Sequence, residues 1–240
     1  MTGPDHVSIV RDAQRFETRA GGVQLRHSLS SGRHYDPSNT SYGLLVACDD
    51  IVLGPGAGFP LHRHRDLEVV SWVLEGELVH EGPTGPATTL RAGDVQVLRA
   101  GPGVLHAERA GSTTTRFVQC WLAAEPGATT SYAVGSHATA LGAGTLVPVA
   151  SGLGHDGALP LAGAAALLVT RLPAGRSVAV PAAPYLHLLV LRGEVALAGA
   201  GRLGAGDAAR TSGRGRTLTA GTDAEVLVWE MHGALSADRG

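Results

Sequence analysis

Two short motifs carry the side chains most able to do chemistry. His62 and His64 stand two positions apart, and His106 and Glu108 repeat that spacing further along the chain. On a β-strand, side chains two positions apart point to the same face. If the two motifs lie on facing strands, all four side chains converge on one point inside the fold. Imidazole and carboxylate groups together suit Fe(II), Mn(II), Ni(II) or Zn(II), so the sequence predicts a metal site built from His62, His64, His106 and Glu108.

The segments around these motifs have the pattern of short β-strands. Val69, Val70 and Trp72 belong to a β-branched and aromatic run just after the first motif, which is typical of a buried strand. Glycine-rich turns such as 101–103 separate runs of this kind, and that arrangement is typical of an all-β sandwich or barrel. The predicted strands cover residues 44–53, 68–78, 88–98, 114–123, 164–172, 177–180, 186–191 and 227–231.

The two halves of the chain repeat one pattern. A strand, a glycine bend, a second strand and a Gly-Asp turn occur around Gly76 and Asp94, and again around Gly193 and Asp207. Two matches in the same order indicate a duplicated β-barrel. We therefore predict an N-terminal barrel with the metal site over residues 1–125, a loop-rich connection over 126–160 and a C-terminal barrel over 161–240.

The second barrel is predicted to bind no metal. When the two halves are aligned on their glycine bends, Ala179 and Pro181 fall opposite the histidines of the first motif, and neither residue can bind a metal through its side chain. His187 is isolated in this half. We expect it to be a packed or surface imidazole rather than a ligand.

Composition and charge exclude several classes of protein. The net charge is -2, and the 19 basic residues, all of them arginine, are spread along the chain, so no basic field for nucleic acid is expected. The two cysteines, Cys48 and Cys120, form no CxxC motif and are expected to be buried, reduced thiols. The N-terminus has no apolar signal region, and no apolar run reaches the roughly 18 residues of a membrane span. We expect a soluble cytoplasmic protein without a membrane partner.

The motifs resemble those of the pirin family within the cupin superfamily. This resemblance implies two tandem jelly-roll barrels of the cupin type and one metal ion, usually iron, held by the four residues named above. Manganese, nickel, zinc and copper are the alternative metals. Arg63 replaces a proline common in the family, and because its side chain is expected to point outward, ligation should survive. The stretches that carry the resemblance are 34–37, 62–68, 73–77, 92–96 and 100–108.

The resemblance also implies a function. Pirins are similar to quercetin 2,3-dioxygenases, so we expect a metal-dependent dioxygenase that acts on a small aromatic or flavonol-like substrate and O2. In such an enzyme Glu108 is the candidate catalytic residue, since a carboxylate at the metal can take the proton of the substrate hydroxyl. The family implies a non-enzymatic alternative as well, in which the protein is a metal- or redox-responsive partner of a regulatory protein.

Three further polar residues lie near the motifs. His80 follows the first glycine bend and is a candidate substrate contact, with a solvent-facing strand end as the alternative. Gln119 shares a strand face with Phe117 and Trp121 and is a second candidate, with an internally hydrogen-bonded amide as the alternative. Glu68 stands near the place where other cupins have a carboxylate ligand, and we expect it to support the site rather than bind the metal.

Overall fold

The computed structural model describes residues 6–82, 85–124 and 127–235. Regular structure in these residues is almost entirely β, with two short 3-10 helices at Asp12–Gln14 and Ala140–Ala143. The all-β prediction is confirmed. In chain order the strands are β1 (Val7–Val10), β2 (Phe16–Ala20), β3 (Val23–His27), β4 (Leu45–Leu53), β5 (Gly58–His64), β6 (Leu67–Glu75), β7 (Glu77–Glu81), β8 (Thr88–Arg91), β9 (Asp94–Arg99), β10 (Val104–Ala110), β11 (Thr115–Ala123), β12 (Ser131–Ser136), β13 (Val147–Ser151), β14 (Leu159–Pro160), β15 (Ala165–Leu172), β16 (Ser177–Val180), β17 (Tyr185–Arg192), β18 (Glu194–Leu197), β19 (Gly201–Gly204), β20 (Ala208–Thr211), β21 (Arg216–Ala220) and β22 (Ala224–Met231).

The chain divides into two compact units. The N-terminal unit consists of Phe16–Ser41 and Leu45–Ser136. The C-terminal unit consists of the described residues up to Arg15, together with Tyr42–Leu44 and the described residues from His137 onward. Each unit contains one seven-stranded and one four-stranded sheet, so the duplication seen in the sequence is a duplication of a two-sheet domain.

In the N-terminal unit, the large sheet has the order β12-β9-β6-β11-β4-β3-β2 and the small sheet the order β5-β10-β7-β8. The two sheets share one apolar core. Ile51, Val73 and Phe117 enter it from the large sheet, and Leu78 and Leu90 enter it from the small one. Burial of these side chains is the main force that holds the sheets together. The four predicted metal ligands lie on two other strands of the small sheet, β5 and β10.

In the C-terminal unit, the corresponding orders are β1-β20-β17-β22-β15-β13-β14 and β16-β21-β18-β19. Its core again combines both sheets, with Leu168, Leu188 and Val226 from the large sheet and Val195 and Leu218 from the small one. The second half of the chain thus keeps the architecture of the first.

The unit boundaries correct the predicted segments at two places. Residues 6–15 belong to the C-terminal unit, because β1 pairs antiparallel with β20 at the edge of its large sheet. The predicted connection over 126–160 contains β12, the second 3-10 helix, β13 and β14. These segments have few strong β-formers, and their strands exist because they extend larger sheets, which a local pattern does not reveal.

The strand register also corrects the alignment of the two halves. Val180 pairs with Arg216 just after a glycine turn, as His64 pairs with Val104 in the N-terminal unit. The inward residues of β16 are therefore Val178 and Val180, not Ala179 and Pro181. Aligning the two halves on their glycine bends misplaces β16 relative to β5, because the loop between β16 and β17 is longer than the loop between β5 and β6. The prediction that this half offers no ligands at these positions is unaffected, because both valines are apolar.

The two cysteines are neighbours across a strand pair. Cys48 on β4 lies opposite Cys120 on β11, with 3.2 Å between the Sγ atoms. Both are buried thiols that form no disulfide with each other, as expected from the sequence. None of the helices in the described residues is long and apolar enough to span a membrane.

Candidate metal centre

The three predicted histidine ligands come together on one strand pair. β5 carries His62 and His64, and β10 carries His106 directly opposite His62. The possible ligand atoms of the three imidazoles all lie within 4.8 Å of one another. His64 and His106 are buried, whereas His62 is half-buried. The site therefore has a protein-facing side and a side that His62 leaves nearer to solvent.

Glu108 reaches the same region by a different route. The register of β5 and β10 shifts between His106 and Glu108, so that Glu108 pairs with Phe59 on β5 and with His80 on β7. Gly58 permits this close approach, because a Cβ atom there would collide with the backbone of Glu108. Glu108 forms a second cluster with His106 and His80. His106 belongs to both clusters and links the carboxylate to the three-histidine group.

The hydrogen-bonding pattern of the imidazoles fits a metal ion. His62 Nδ1 lies 2.8 Å from the Pro60 carbonyl oxygen and must donate to it, so His62 Nε2 carries the lone pair. That nitrogen lies 3.0 Å from His64 Nε2. His106 Nε2 is buried and has no hydrogen-bond partner within the described residues. A buried ring nitrogen without a partner is costly, and a divalent cation would satisfy it together with the other two nitrogens.

The electrostatic environment favours the neutral form of His64 and His106. Burial, opposed in part by Glu108 and reinforced by the neighbouring imidazoles, lowers the pKa of His106 to about 4. Burial and the adjacent His62 also lower the pKa of His64. At neutral pH these rings are therefore in the unprotonated form that binds metals.

The Glu108 carboxylate is fully buried and held by two amides. Gln96 Nε2 donates to Oε1 at 2.6 Å, and Gln119 Nε2 donates to Oε2 at 2.8 Å. Burial by itself raises the pKa of Glu108, but the adjacent His80 and His106 and the Gln119 amide outweigh burial, so the pKa lies below its ordinary value. The site thus contains a permanent negative charge that can balance a cation.

The two predicted substrate contacts are buried side chains with protein partners. His80 is 2% exposed and stacks on Tyr132, with ring centroids 4.4 Å apart, so it is not the solvent-facing strand end that was its alternative. Gln119 donates to Ser71 as well as to Glu108, and its Oε1 accepts a hydrogen bond from Trp121. Contact of either residue with a substrate stays a prediction, and both have a clear structural role beside Glu108.

Other residues of the site were not singled out from the sequence. Gln96 and Tyr132 were not predicted to lie at the site, although a lone Gln among the apolar residues of β9 indicates a polar side chain that points inward. Glu68, in contrast, is buried and accepts a hydrogen bond from Arg99 Nε at 3.0 Å. It belongs to neither possible metal cluster in the part of the chain that is described, which agrees with the expected supporting role.

The C-terminal unit has apolar residues at the equivalent positions. With the register of the two units matched, His62, His64, His106 and Glu108 correspond to Val178, Val180, Leu218 and Ala220. His187 is 1% exposed and belongs to no possible metal cluster among the described residues. Of the packed or surface imidazole expected there, the packed form is observed.

Comparisons with known proteins agree with this architecture. Residues 9–122 match the family model described as pirin, and residues 148–231 match the model described as the quercetinase C-terminal cupin domain. A Mycobacterium tuberculosis protein, named provisionally as a quercetin 2,3-dioxygenase, is 43% identical over 235 residues, which cover 95% of this chain and 96% of that one.

Solved structures share the fold of both units. Bacterial pirin YhhW from Escherichia coli, in complex with nickel(II), matches with a TM-score of 0.88 and 24% identity, covering 95% of this chain and 100% of that chain. A quercetin 2,3-dioxygenase from Acinetobacter baumannii matches with a TM-score of 0.72 and 22% identity, covering 94% of this chain and 86% of that one. The cupin-type fold expected from the sequence is confirmed.

Proposed function

The chain belongs to the pirin family of cupin proteins, and we propose that it is a metal-dependent dioxygenase able to cleave flavonols. In this proposal Fe(II) is the metal, and His62, His64, His106 and Glu108 are its ligands. One observation carries the proposal: three imidazoles have ligand atoms within 4.8 Å of one another, and one of them, His106, also belongs to a cluster that contains a buried carboxylate. A site closed on all sides would suit a structural metal, whereas the half-buried His62 leaves room for a substrate.

The residues of the site would have two different roles in the reaction, metal binding and proton transfer. A bound divalent metal would act as a Lewis acid that lowers the pKa of a substrate hydroxyl. His62, His64 and His106 would donate ring nitrogens to the metal, and Glu108 would supply the balancing charge. Each Glu108 oxygen accepts one amide hydrogen bond, which leaves further lone pairs to receive the proton of the substrate hydroxyl.

An aromatic substrate fits the side chains at the edge of the site. The Trp121 ring meets His64 edge-on, with centroids 4.9 Å apart. Tyr132 stacks on His80 and remains 38% exposed. Aromatic rings favour stacked and edge-to-face contacts with other rings, so this environment supports binding of a planar, hydroxylated ring system of the flavonol type, with O2 as the second substrate.

A regulatory role is the second candidate. The C-terminal unit keeps the two-sheet architecture but carries Val178, Val180, Leu218 and Ala220 where the ligands would be. A unit with apolar residues at these positions is compatible with a protein that uses one metal centre to control binding of a protein partner. The metal would then act through its charge and not through turnover.

Metal analysis combined with quercetin turnover tests the proposal. The protein is purified without oxygen, its metal content is measured, Fe(II) is restored, and O2-dependent loss of quercetin absorbance is followed. About one metal per chain, with turnover that disappears in Glu108→Gln, supports the dioxygenase. The control is Glu81→Gln, which changes an exposed carboxylate paired with Arg109 and should retain turnover. One metal per chain without turnover favours the regulatory role, and failure to bind metal after reconstitution contradicts both.

A further inference from the structure

We infer that Tyr132 and Trp121 are positioning residues that fix the orientation of two glutamine amides and thereby hold Glu108 in place. The inference rests on the proposed metal site but not on the proposed reaction. It concerns five side chains around one carboxylate, of which Tyr132 alone is exposed, and they form a hydrogen-bonded arrangement with two matching arms.

The two arms have the same order of donors and acceptors. In the first arm, the Tyr132 hydroxyl donates to Gln96 Oε1 at 2.9 Å, and Gln96 Nε2 donates to Glu108 Oε1 at 2.6 Å. In the second arm, Trp121 Nε1 donates to Gln119 Oε1 at 3.1 Å, and Gln119 Nε2 donates to Glu108 Oε2 at 2.8 Å. An aromatic donor therefore lies behind each amide, and each amide serves one oxygen of the carboxylate.

Ser71 joins the two arms. Its Oγ lies 3.1 Å from Gln96 Nε2 and 3.1 Å from Gln119 Nε2. Each amide nitrogen has two hydrogens, and Ser71 and Glu108 accept one from each nitrogen. Ser71, Gln96 and Glu108 are each at most 1% exposed, and Gln119 is 6% exposed, so water has little access to replace these bonds.

A glutamine amide needs an external donor to define which end faces a carboxylate. The two ends have nearly the same shape, and a rotated amide would place its oxygen against the negatively charged Glu108. Trp121 prevents this rotation for Gln119, because an indole N–H can only donate and requires the amide oxygen beside it. Tyr132 favours the same orientation of Gln96 by donating its hydroxyl hydrogen to Oε1. Both amide nitrogens are thereby kept toward Glu108.

The consequence is a carboxylate whose direction is set before a metal arrives. Hydrogen bonds to an ionised group are short and strong, and two of them restrict rotation of the Glu108 side chain. Partners that orient metal ligands typically change metal affinity by about 10- to 100-fold when they are removed. Tyr132 and Trp121 do not hydrogen-bond to Glu108 themselves in this arrangement. Any effect they have on metal affinity must therefore be transmitted through Gln96 and Gln119.

Nickel(II) affinity, measured by calorimetry on the metal-free full chain, tests this relationship with double-mutant cycles. Tyr132→Phe removes one hydroxyl, and Gln96→Met removes the amide with little change in volume. We expect each single variant to weaken nickel(II) binding by about tenfold, and Tyr132→Phe to have no further effect when Gln96 is already Met. Equal effects of Tyr132→Phe in both backgrounds, or no effect in either, would overturn the inference for this arm.

The second arm has its own cycle, which remains informative if a Gln96 variant does not fold. Trp121→Phe also disturbs the ring contact with His64, so its effect is compared in the wild-type and Gln119→Met backgrounds. A loss of affinity confined to the wild-type background supports positioning through Gln119. A loss of the same size in both backgrounds means that Trp121 acts through His64, and the inference for this arm fails.

A spectroscopic measurement separates positioning from simple loss of stability. With cobalt(II) in the site, the visible absorption bands report the ligand field, and Tyr132→Phe should shift them in the same direction as Gln96→Met. Tyr35→Phe is the control, because Tyr35 is 73% exposed, and it should leave the bands and the nickel(II) affinity unchanged. Absence of nickel(II) binding in the wild type would remove the proposed metal site itself, whereas binding with additive cycles would overturn only the positioning role.

Discussion

His106 lies directly opposite His62 in the antiparallel pairing of β5 and β10. Their ring centroids are 4.4 Å apart, so the strand register alone brings the two motifs together. Beyond this pair the register shifts, and Glu108 turns toward β7 and the large sheet. The three histidines therefore lie together on one strand pair, whereas the Glu108 carboxylate is held from the opposite sheet by Gln119.

Removal of a histidine should abolish metal binding without unfolding the chain. We expect His62→Ala or His106→Ala to retain less than about a tenth of the wild-type metal at equal total metal, since each removes a donor from a three-imidazole group. The apolar core of the N-terminal unit contains neither histidine, so the β-rich circular dichroism spectrum should persist. Metal per chain is measured by elemental analysis, and loss of folding in both variants would assign the metal a structural role.

His187 provides the matched control for these variants. It is a buried histidine in the other unit, and it belongs to neither possible ligand cluster of the described residues. His187→Leu is expected to keep full metal content. A fall in metal content would show that the C-terminal unit takes part in metal binding, contrary to the apolar residues found at its equivalent positions.

Bound metal should stabilise the native chain by mass action. A cation that binds only the folded state adds about 2.7 kcal/mol when its free concentration is about 100 times its dissociation constant. We expect nickel(II) to raise the melting temperature of the wild type and to leave that of His106→Ala unchanged. Differential scanning calorimetry with and without a chelator measures both shifts, and an equal rise in the two proteins would indicate binding outside the centre.

The sequence predicted the parts of the fold and site that depend on local pattern. Every predicted strand overlaps strands of the structure, because runs such as Val69–Val73 have strong β-propensity and the glycine bends interrupt them. The proximity of His62, His64 and His106 was predicted from their spacing of two, although β5 and β10 are neighbouring strands of one sheet and not the facing strands that were expected. The remaining features depend on contacts between residues that are distant in sequence. These are the pairing of β1 with the C-terminal unit and the hydrogen bond from the Gln96 side-chain amide to Glu108 between the two sheets.

Glu68 gives a test that separates a supporting carboxylate from a ligand. It is 1% exposed and pairs with Arg99, whose side chain is 21% exposed. Glu68→Gln should leave metal content and nickel(II) affinity within about twofold of the wild type while lowering unfolding free energy by about 2 kcal/mol, because it weakens a buried ion pair. Denaturant unfolding and calorimetry measure the two quantities. A loss of metal larger than the loss of stability would make Glu68 a ligand.

Asp207 should anchor the N-terminal segment of the C-terminal unit in a pH-dependent way. Its carboxylate accepts hydrogen bonds from the Arg11 side chain and from the backbone N–H groups of Asp12 and Gly204. Although burial raises the pKa of Asp207, these bonds outweigh burial, and the pKa lies below the ordinary value of 3.8. A carboxyl group with a lowered folded-state pKa contributes stability above its unfolded pKa and loses it as pH falls through the folded pKa.

Because Arg11 is half-exposed and screened by solvent, we expect Asp207→Asn to cost only about 1 kcal/mol at pH 7. The difference between the two proteins should shrink below pH 3.8, as the wild-type carboxyl becomes protonated. Urea unfolding across this pH range measures the difference, with exposed Asp156→Asn as the control, and a difference that stays constant with pH would contradict the anchoring role of the charge.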